Sequence, residues 1–134
     1  MKSILTVILF HSLMTFGQSS NCSFYLDESN EIIYTDLTNE AKPLIKETHI
    51  LSYFSDNINF DKLWIDSTSN TKTIIKVIVS REGKILKKEV IELGIEGIAE
   101  QMFELIENVK WEPGICENIK VNSELIIPFQ ICLK

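Results

Sequence analysis

Few side chains in this sequence are of the types that catalyse reactions. Of its two histidines, His11 lies in an apolar N-terminal stretch that we expect to be removed, which leaves His49. A lone histidine on a predicted helix is usually structural or solvated, because catalysis needs a nucleophile or a second base beside it. No Gly-x-Ser-x-Gly, His-Glu-x-x-His or phosphate-binding glycine loop occurs. We therefore expect no enzyme, no catalytic residue and no cofactor.

Three aspartates have a regular spacing that could suggest a metal site. Asp56, Asp61 and Asp66 recur at intervals of five, but Ile58 and Phe60 fall where a calcium loop needs ligands. The pattern is more typical of helix caps and solvated turns. No metal site is expected.

The three cysteines allow one intramolecular disulfide at most. A strand running from residue 120 to 132 would be about 40 Å long and would hold Cys116 and Cys132 apart, which makes a bond between them geometrically unfavourable. Cys22 could reach either of them, and three reduced thiols are an equal alternative. The sequence does not choose between these states.

Composition limits the classes of partner. The net charge is -6 over 134 residues, and Arg81 is the only arginine, so a surface that follows nucleic-acid phosphates is not expected. The same charge argues against anionic lipid. Nothing indicates a small-molecule substrate, and the length suits a single modest core. A protein partner is the remaining class.

The N-terminus has the pattern of an export signal. Lys2 is followed by an apolar run over residues 4–16, and Thr15 and Gly17 are small residues at the positions that a signal peptidase recognises. A helix of that run would be about 20 Å long, shorter than the roughly 30 Å of a bilayer core. We expect a signal peptide at residues 1–17 and an exported, periplasmic protein.

Two alternatives to a cleaved signal stay open. An uncleaved leader would anchor the chain in the inner membrane. Cys22 could instead be lipidated in a lipoprotein, although residues 19–21 lack the aliphatic residue that usually precedes such a cysteine.

The C-terminal segment predicts a strand with pairing potential. Apolar residues alternate over residues 121–133, as in a strand with one buried face. Pro128 has no backbone N–H and is tolerated only at a sheet edge or a bulge. An edge strand is a template for pairing with another chain.

A hairpin and a helix precede that strand. Residues 73–80 and 85–93 have the composition of strands, and residues 80–84 form a glycine-containing turn. The following helix has one apolar stripe and must end before Pro113. The stripe consists of Ile98, Met102, Leu105, Ile106 and Val109.

The segment before the hairpin is less patterned. Residues 31–35 could form a short strand, and a helix is predicted from Pro43 at its first turn to about Phe54. Phe60, Leu63 and Trp64 are expected to dock on the core.

Residues 73–134 resemble the C-terminal domain of the TonB energy-transducer family. The likeness rests on the hairpin glycine, on the sequence Trp-Glu-Pro-Gly after the helix, and on a proline near the end of the last strand. Trp111 is better interpreted as a packing anchor than as a recognition residue. The signature residues are Gly83, Trp111, Pro113, Gly114 and Pro128.

The resemblance implies an α+β fold. It predicts a three-stranded antiparallel sheet, in the order β-β-α-β, packed on a helix and preceded by an additional N-terminal helix. Residues 18–72 would then be an N-terminal extension with one helix, and residues 73–134 the TonB-like domain.

The resemblance also implies a function in protein docking. In the family, the last strand receives a segment of an outer-membrane transporter as an added strand, in energy-coupled transport. The alternative is a small exported domain that uses its edge strand to dimerise, or that serves as an envelope adaptor, without transducing energy. The expected partner-binding residues are Val121, Asn122, Ser123, Glu124, Leu125, Ile126 and Ile127.

Overall fold

The computed structural model describes residues 22–65 and 71–132, and the predicted signal peptide at residues 1–17 lies outside them. These residues form an α+β fold with two α-helices. The helices are α1 (Ile50–Asn57) and α2 (Ile98–Glu107), and a short 3-10 helix spans Phe60–Lys62. The strands are β1 (Ser23–Leu26), β2 (Ile32–Thr35), β3 (Lys42–Pro43), β4 (Lys72–Val79), β5 (Ile85–Glu92), β6 (Trp111–Glu112), β7 (Gly114–Cys116), β8 (Ile119–Val121) and β9 (Ser123–Gln130).

The main sheet has five strands in the order β1-β2-β9-β4-β5. The predicted three-stranded sheet is therefore wrong in its strand number, although the hairpin, helix and final strand occur in the predicted chain order. Two strands from the N-terminal segment extend the sheet on the β9 side. β9 is therefore the middle strand of the five, and the expectation that it lies at a sheet edge is wrong.

β4 and β9 form the centre of the sheet. They pair antiparallel over their full lengths, from Lys72 opposite Gln130 to Val79 opposite Ser123. Alternate side chains of both strands pack on the helices, because neighbouring residues of a strand point to opposite faces. The buried core of this face includes Phe54, Ile75, Val77, Met102, Ile106, Ile127 and Phe129.

Helix α2 follows the predicted apolar stripe. Ile98, Met102 and Ile106 are fully buried against the sheet. The helix ends at Glu107, and the indole Nε1 of Trp111 donates a 2.8 Å hydrogen bond to the Ile106 carbonyl. The last carbonyls of a helix have no partner within it, so Trp111 satisfies one of them.

Two strands of the N-terminal segment belong to the main sheet. β1 and β2 form an antiparallel hairpin, and β2 then pairs with β9 in parallel. A disulfide joins Cys22, just before β1, to Cys116 in β7, with 6.2 Å between their Cα atoms. Cys132 is an exposed free thiol.

The first predicted helix begins later than expected. It was predicted from Pro43, but α1 begins at Ile50, and Lys42 and Pro43 form β3 instead. β3 pairs with β6, and the N–H of Leu44 donates to the Lys110 carbonyl at 2.8 Å. These long-range backbone bonds take the groups that a helical turn would have used.

The connection after α1 also differs from its prediction. Leu63 packs against the core, but the Trp64 side chain is 79% exposed and Phe60 lies at the surface. The predicted docking of Trp64 and Phe60 on the core is wrong. Phe60 is exposed because it lies in the 3-10 turn Phe60–Lys62, in which no residue is buried.

Candidate docking site

The outer side of β9, away from β4, has backbone groups available for pairing. The Ile131 N–H donates to Thr71 on the β4 side, whereas the Asn122 carbonyl accepts from Tyr34 on the opposite side. Backbone groups alternate along a strand, so the even-numbered residues of β9 direct their N–H and C=O groups away from β4. Pro128 falls in this outward series, which explains why the lack of an N–H is tolerated there.

β2 covers only the first part of this outer side. Its pairing with β9 consists of one register position, Tyr34 opposite Ser123, with a 2.9 Å bond from the Tyr34 N–H to the Asn122 carbonyl. Past Ser123, no described residue is bonded to the outward backbone groups of Ile126 or to the Pro128 carbonyl. The accessible stretch of β9 therefore lies between residues 124 and 128.

A groove of about 340 Å³ runs along this stretch. One wall is the β9 edge from Leu125 to Pro128, and the other is the segment of residues 40–51. Trp111 contributes to the lining, as do the partly buried Ile50 and Leu51. An extended peptide placed here could bond to the backbone of β9 and bury alternate side chains in the groove.

The Trp-Glu-Pro-Gly segment holds the second wall in place. Trp111 and Glu112 form β6, which pairs with Lys42 and Pro43 of the wall. The Lys42 ammonium and the Glu112 carboxylate add a 3.6 Å ion pair at the surface. The role of the segment here is to attach residues 40–51 to the end of α2, with Trp111 itself 6% exposed.

Two signature glycines mark places where backbones approach closely. A Cβ added to Gly83, whose φ is +81°, would lie 2.4 Å from the Trp111 carbonyl oxygen. A Cβ at Gly114 would lie 2.7 Å from the Ser123 hydroxyl and 2.6 Å from a Leu37 methyl group. Both positions require glycine, since any side chain would push these neighbours apart.

Glu47 gives the groove an unusual polar feature. Its Oε2 atom is shielded from solvent and has no hydrogen-bond partner among the described residues. The carboxylate is close enough to Tyr53 to contribute, after burial of the phenol, to a raised pKa of that tyrosine. Because Glu47 lines the groove, its negative charge would favour a basic side chain on a bound peptide.

A row of polar side chains crosses the sheet face opposite the helices. The Tyr25 hydroxyl donates to Glu124 Oε1 at 2.9 Å, and the Lys76 ammonium lies 3.8 Å from the same oxygen and 3.1 Å from Glu89 Oε2. Lys76 lowers the pKa of Glu89 through this hydrogen bond and through its charge. The row ties β1, β9, β4 and β5 together and fixes the Glu124 side chain.

The structure separates the seven predicted partner-binding residues into two groups. Val121 is buried in β8 opposite Gly114, Asn122 receives hydrogen bonds from Tyr34 and Arg81, and Ser123 is 1% exposed. These three residues are occupied by contacts within the chain. The second group, Glu124, Leu125, Ile126 and Ile127, lies along the accessible stretch, with Leu125, Ile126 and Ile127 lining the groove.

The other residues considered from the sequence are not assembled into a site. His49 is an exposed residue immediately before α1, at the rim of the groove. Asp56 is exposed on α1, Asp61 lies in the 3-10 turn, and Asp66 is outside the described residues. Among residues 22–65 and 71–132, no three metal-ligating side chains come together.

Sequence reasoning missed the wall of the groove. Residues 40–51 were assigned largely to a helix, so neither Glu47 nor Ile50 was linked to the β9 edge. Pro43 was the available signal, since a proline suits an irregular strand as well as a first helical turn. The partial cover by Tyr34 could not be foreseen, because the pairing of residues 31–35 was not predicted.

No helix formed by the described residues is long and apolar enough to cross a membrane. Comparisons with protein-family models, with curated proteins and with solved structures find no match to this chain.

Proposed function

We propose that this protein is a docking module that binds an extended segment of another protein by strand addition along residues 124–128 of β9. The observation that carries the proposal is the outward series of backbone groups at Ile126 and Pro128, which no described residue uses. Main-chain hydrogen bonds provide affinity in this mode, and side-chain pockets provide register.

The chemistry of the groove defines the partner segment. Alternate residues of an added strand face the groove, so these should be apolar to match Trp111, Leu51 and Ile127. One of them should be basic, because Glu47 lines the groove and carries a negative charge. Pro128 offers only a carbonyl, so the ladder with the partner ends there.

We place the protein outside the cytoplasm, in the periplasm. The disulfide between Cys22 and Cys116 supports this proposal, since such bonds persist in oxidising compartments. The TonB resemblance of residues 73–134 implies a segment of an outer-membrane transporter as the partner, and energy-coupled transport as the wider role. The second candidate is an envelope adaptor without energy transduction.

A selection from short random peptides displayed on phage tests the docking mode. Ile126→Pro removes one outward N–H and leaves the β4 ladder intact, so it should reduce binding of the selected peptides at least about tenfold. Leu125→Pro is unsuitable, because the Leu125 N–H points toward β4 and its loss would damage the fold.

Gln130→Pro is the matched control. The backbone groups of Gln130 also point away from β4, but this residue lies past the groove. The variant therefore introduces the same proline constraint on the backbone outside the docking stretch. Hydrogen exchange should show the Ile126 amide becoming protected when a peptide binds. Peptide binding that survives Ile126→Pro, with no protection of that amide, would contradict strand addition at β9.

Glu47→Gln tests the predicted partner chemistry. Peptides selected on the wild-type protein should contain a basic residue. Peptides selected on the Glu47→Gln variant should show no such preference. Glu40→Gln serves as the control, since Glu40 lines the same groove but is exposed to water. If the peptides selected on the wild-type protein show no preference for basic residues, Glu47 does not contribute to partner recognition. The docking mode is tested separately by Ile126→Pro.

A further inference from the structure

The β5 edge of the main sheet carries a second pairing surface. β5 is the last strand in the sheet order, and no described residue pairs with its outer side. Seven of its eight residues are exposed, including Leu86 at 57% and Ile91 at 52%. An edge strand of this length with exposed apolar residues is a surface that proteins usually protect or use.

The sequence of β5 is complementary to itself in one antiparallel arrangement. When two copies pair about a two-fold axis through Lys88, Lys87 of each copy faces Glu89 of the other. Leu86 then faces Val90, so the two positions on each side of the axis join opposite charges and two apolar side chains.

Neighbouring arrangements lack this match. Moving the axis to Glu89 places Lys87 opposite Ile91 and Leu86 opposite Glu92. Moving it to Lys87 places Leu86 opposite Lys88 and Ile85 opposite Glu89. Because mismatched pairs lose both the ion pair and the apolar contact, the arrangement centred on Lys88 is the favoured one.

The single like-charged pair of this arrangement is already compensated. The two Lys88 side chains would face each other at the axis, but each ammonium is hydrogen-bonded to Glu107 of its own α2. The same ammonium lies 5.5 Å from the centre of the Phe103 ring. These contacts draw the charge of Lys88 toward its own helix and reduce the repulsion at the axis.

Two irregularities limit the length of the contact. The β4 register shifts between Ile74 and Ile75 and again between Ile78 and Val79, which leaves Ile91 and Leu86 as bulge residues at the two ends of the regular run 87–90. Bulges twist an edge and discourage long pairings. About five residue pairs bury less than the roughly 1,200 Å² of a standard stable interface, so the association should be weak.

We infer that β5 pairs with β5 of a second copy of this chain, in the antiparallel arrangement centred on Lys88, to form a weak and reversible homodimer. The inference is independent of docking at β9, since the two surfaces lie on different strands, with β4 between them. The dimer would join two five-stranded sheets into one.

Sedimentation velocity over a concentration series tests this inference. The protein should pass from monomer to dimer mass at micromolar to millimolar concentrations, and Leu86→Glu should raise the dissociation constant at least about tenfold, or about 1.4 kcal/mol. Leu93→Glu is the matched control, because Leu93 is equally exposed at 57% but faces only Gly83 in the paired arrangement. It should leave dimerisation unchanged.

A charge exchange distinguishes this arrangement from any other dimer. Lys87→Glu or Glu89→Lys alone should weaken the dimer, because each creates two like-charged pairs across the axis. The double variant should restore dimerisation, which damage to the fold would not allow. A monomer mass up to about 1 mM, or single and double variants that dimerise equally, would overturn the inference.

Discussion

Trp111 connects the end of α2 to β3 through its side chain and its backbone. Its indole N–H satisfies a terminal carbonyl of α2, and its backbone pairs with β3. Trp111→Phe should destabilise the protein by about 2–4 kcal/mol, because it leaves the buried Ile106 carbonyl unpaired and creates a cavity. Denaturant unfolding measures this change. Trp64→Phe is the control, expected within about 0.5 kcal/mol because that side chain is largely exposed.

Tyr25 makes stability depend on pH in the alkaline range. Burial, followed by its hydrogen bond to Glu124 and the charge of that carboxylate, raises the Tyr25 pKa from 10.0 to about 12. Between these values the folded protein holds a proton that the unfolded chain releases, so the free energy of unfolding should fall as pH rises through this window. Below pH 10 the contribution is fully present.

The measurement is denaturant unfolding at several pH values, together with an ultraviolet titration of the phenols. Tyr25→Phe should flatten the alkaline decline. Part of it should remain, because the pKa of Tyr53 is also raised by burial and by Glu47. An alkaline decline of the same steepness in the variant would show that Tyr25 does not titrate in this window.

The two tryptophans show what could be inferred about single residues from the sequence. Trp111 lies between a helix end and a turn, a place where a large side chain has neighbours on several sides, and it is buried. Trp64 lies in an unpatterned connection, where hydrophobicity alone predicted burial. It is exposed because the local chain path, rather than residue type, decides which side chains of a connection meet the core.

Among the elements, the hairpin of β4 and β5 depends on a glycine that touches a distant segment. Gly83→Ala should destabilise the protein by about 3 kcal/mol or more, because it combines a positive φ with a methyl group 2.4 Å from the Trp111 carbonyl oxygen. Thermal unfolding measures the change.

Gly97→Ala separates the two effects. Gly97 also has a positive φ, of +91°, but an added Cβ would meet only a flexible Leu63 methyl group at 3.2 Å. This variant should lose about 1–2 kcal/mol. Equal losses in both variants would mean that the contact between the turn and Trp111 does not constrain the hairpin.

The elements with strong periodicity were predicted well, and those without it were not. The hairpin strands and the stripe of α2 match the structure closely, because local composition and one buried face specify them. β3 and the late start of α1 depend on bonds to Lys110 and Trp111, far along the chain. Such tertiary bonds leave no local periodicity to detect.

At the scale of the whole molecule, the disulfide connects the first described residue to β7 across 94 positions of sequence. Cys22→Ser should lower the free energy of unfolding by about 2–5 kcal/mol, since the cross-link restricts a long loop in the unfolded chain. Cys132→Ser is the control and should change stability by less than about 0.5 kcal/mol, because that thiol is exposed. Equal midpoints for the wild type and Cys22→Ser would contradict a stabilising bond.

The arrangement of the sheet was the least predictable property. The final strand was expected at an edge because of Pro128, and residues 31–35 were expected only as a short strand. The structure places β2 beside the start of β9. Pro128 is compatible with this arrangement, because β2 pairs with β9 only at Ser123 and does not lie beside the proline. The sequence therefore indicated the candidate docking strand, but not how much of it is covered.

The bond between Cys22 and Cys116 determines the path of mechanical force through the protein. Tension applied to the chain ahead of Cys22 would cross the sulfur bridge directly to Cys116 and bypass everything between them, including the helices and the β4–β5 hairpin. From Cys116 only a short hairpin separates the load from Ser123, where β9 begins. A segment held on β9 would thus be linked to the chain ahead of Cys22 by a short covalent route.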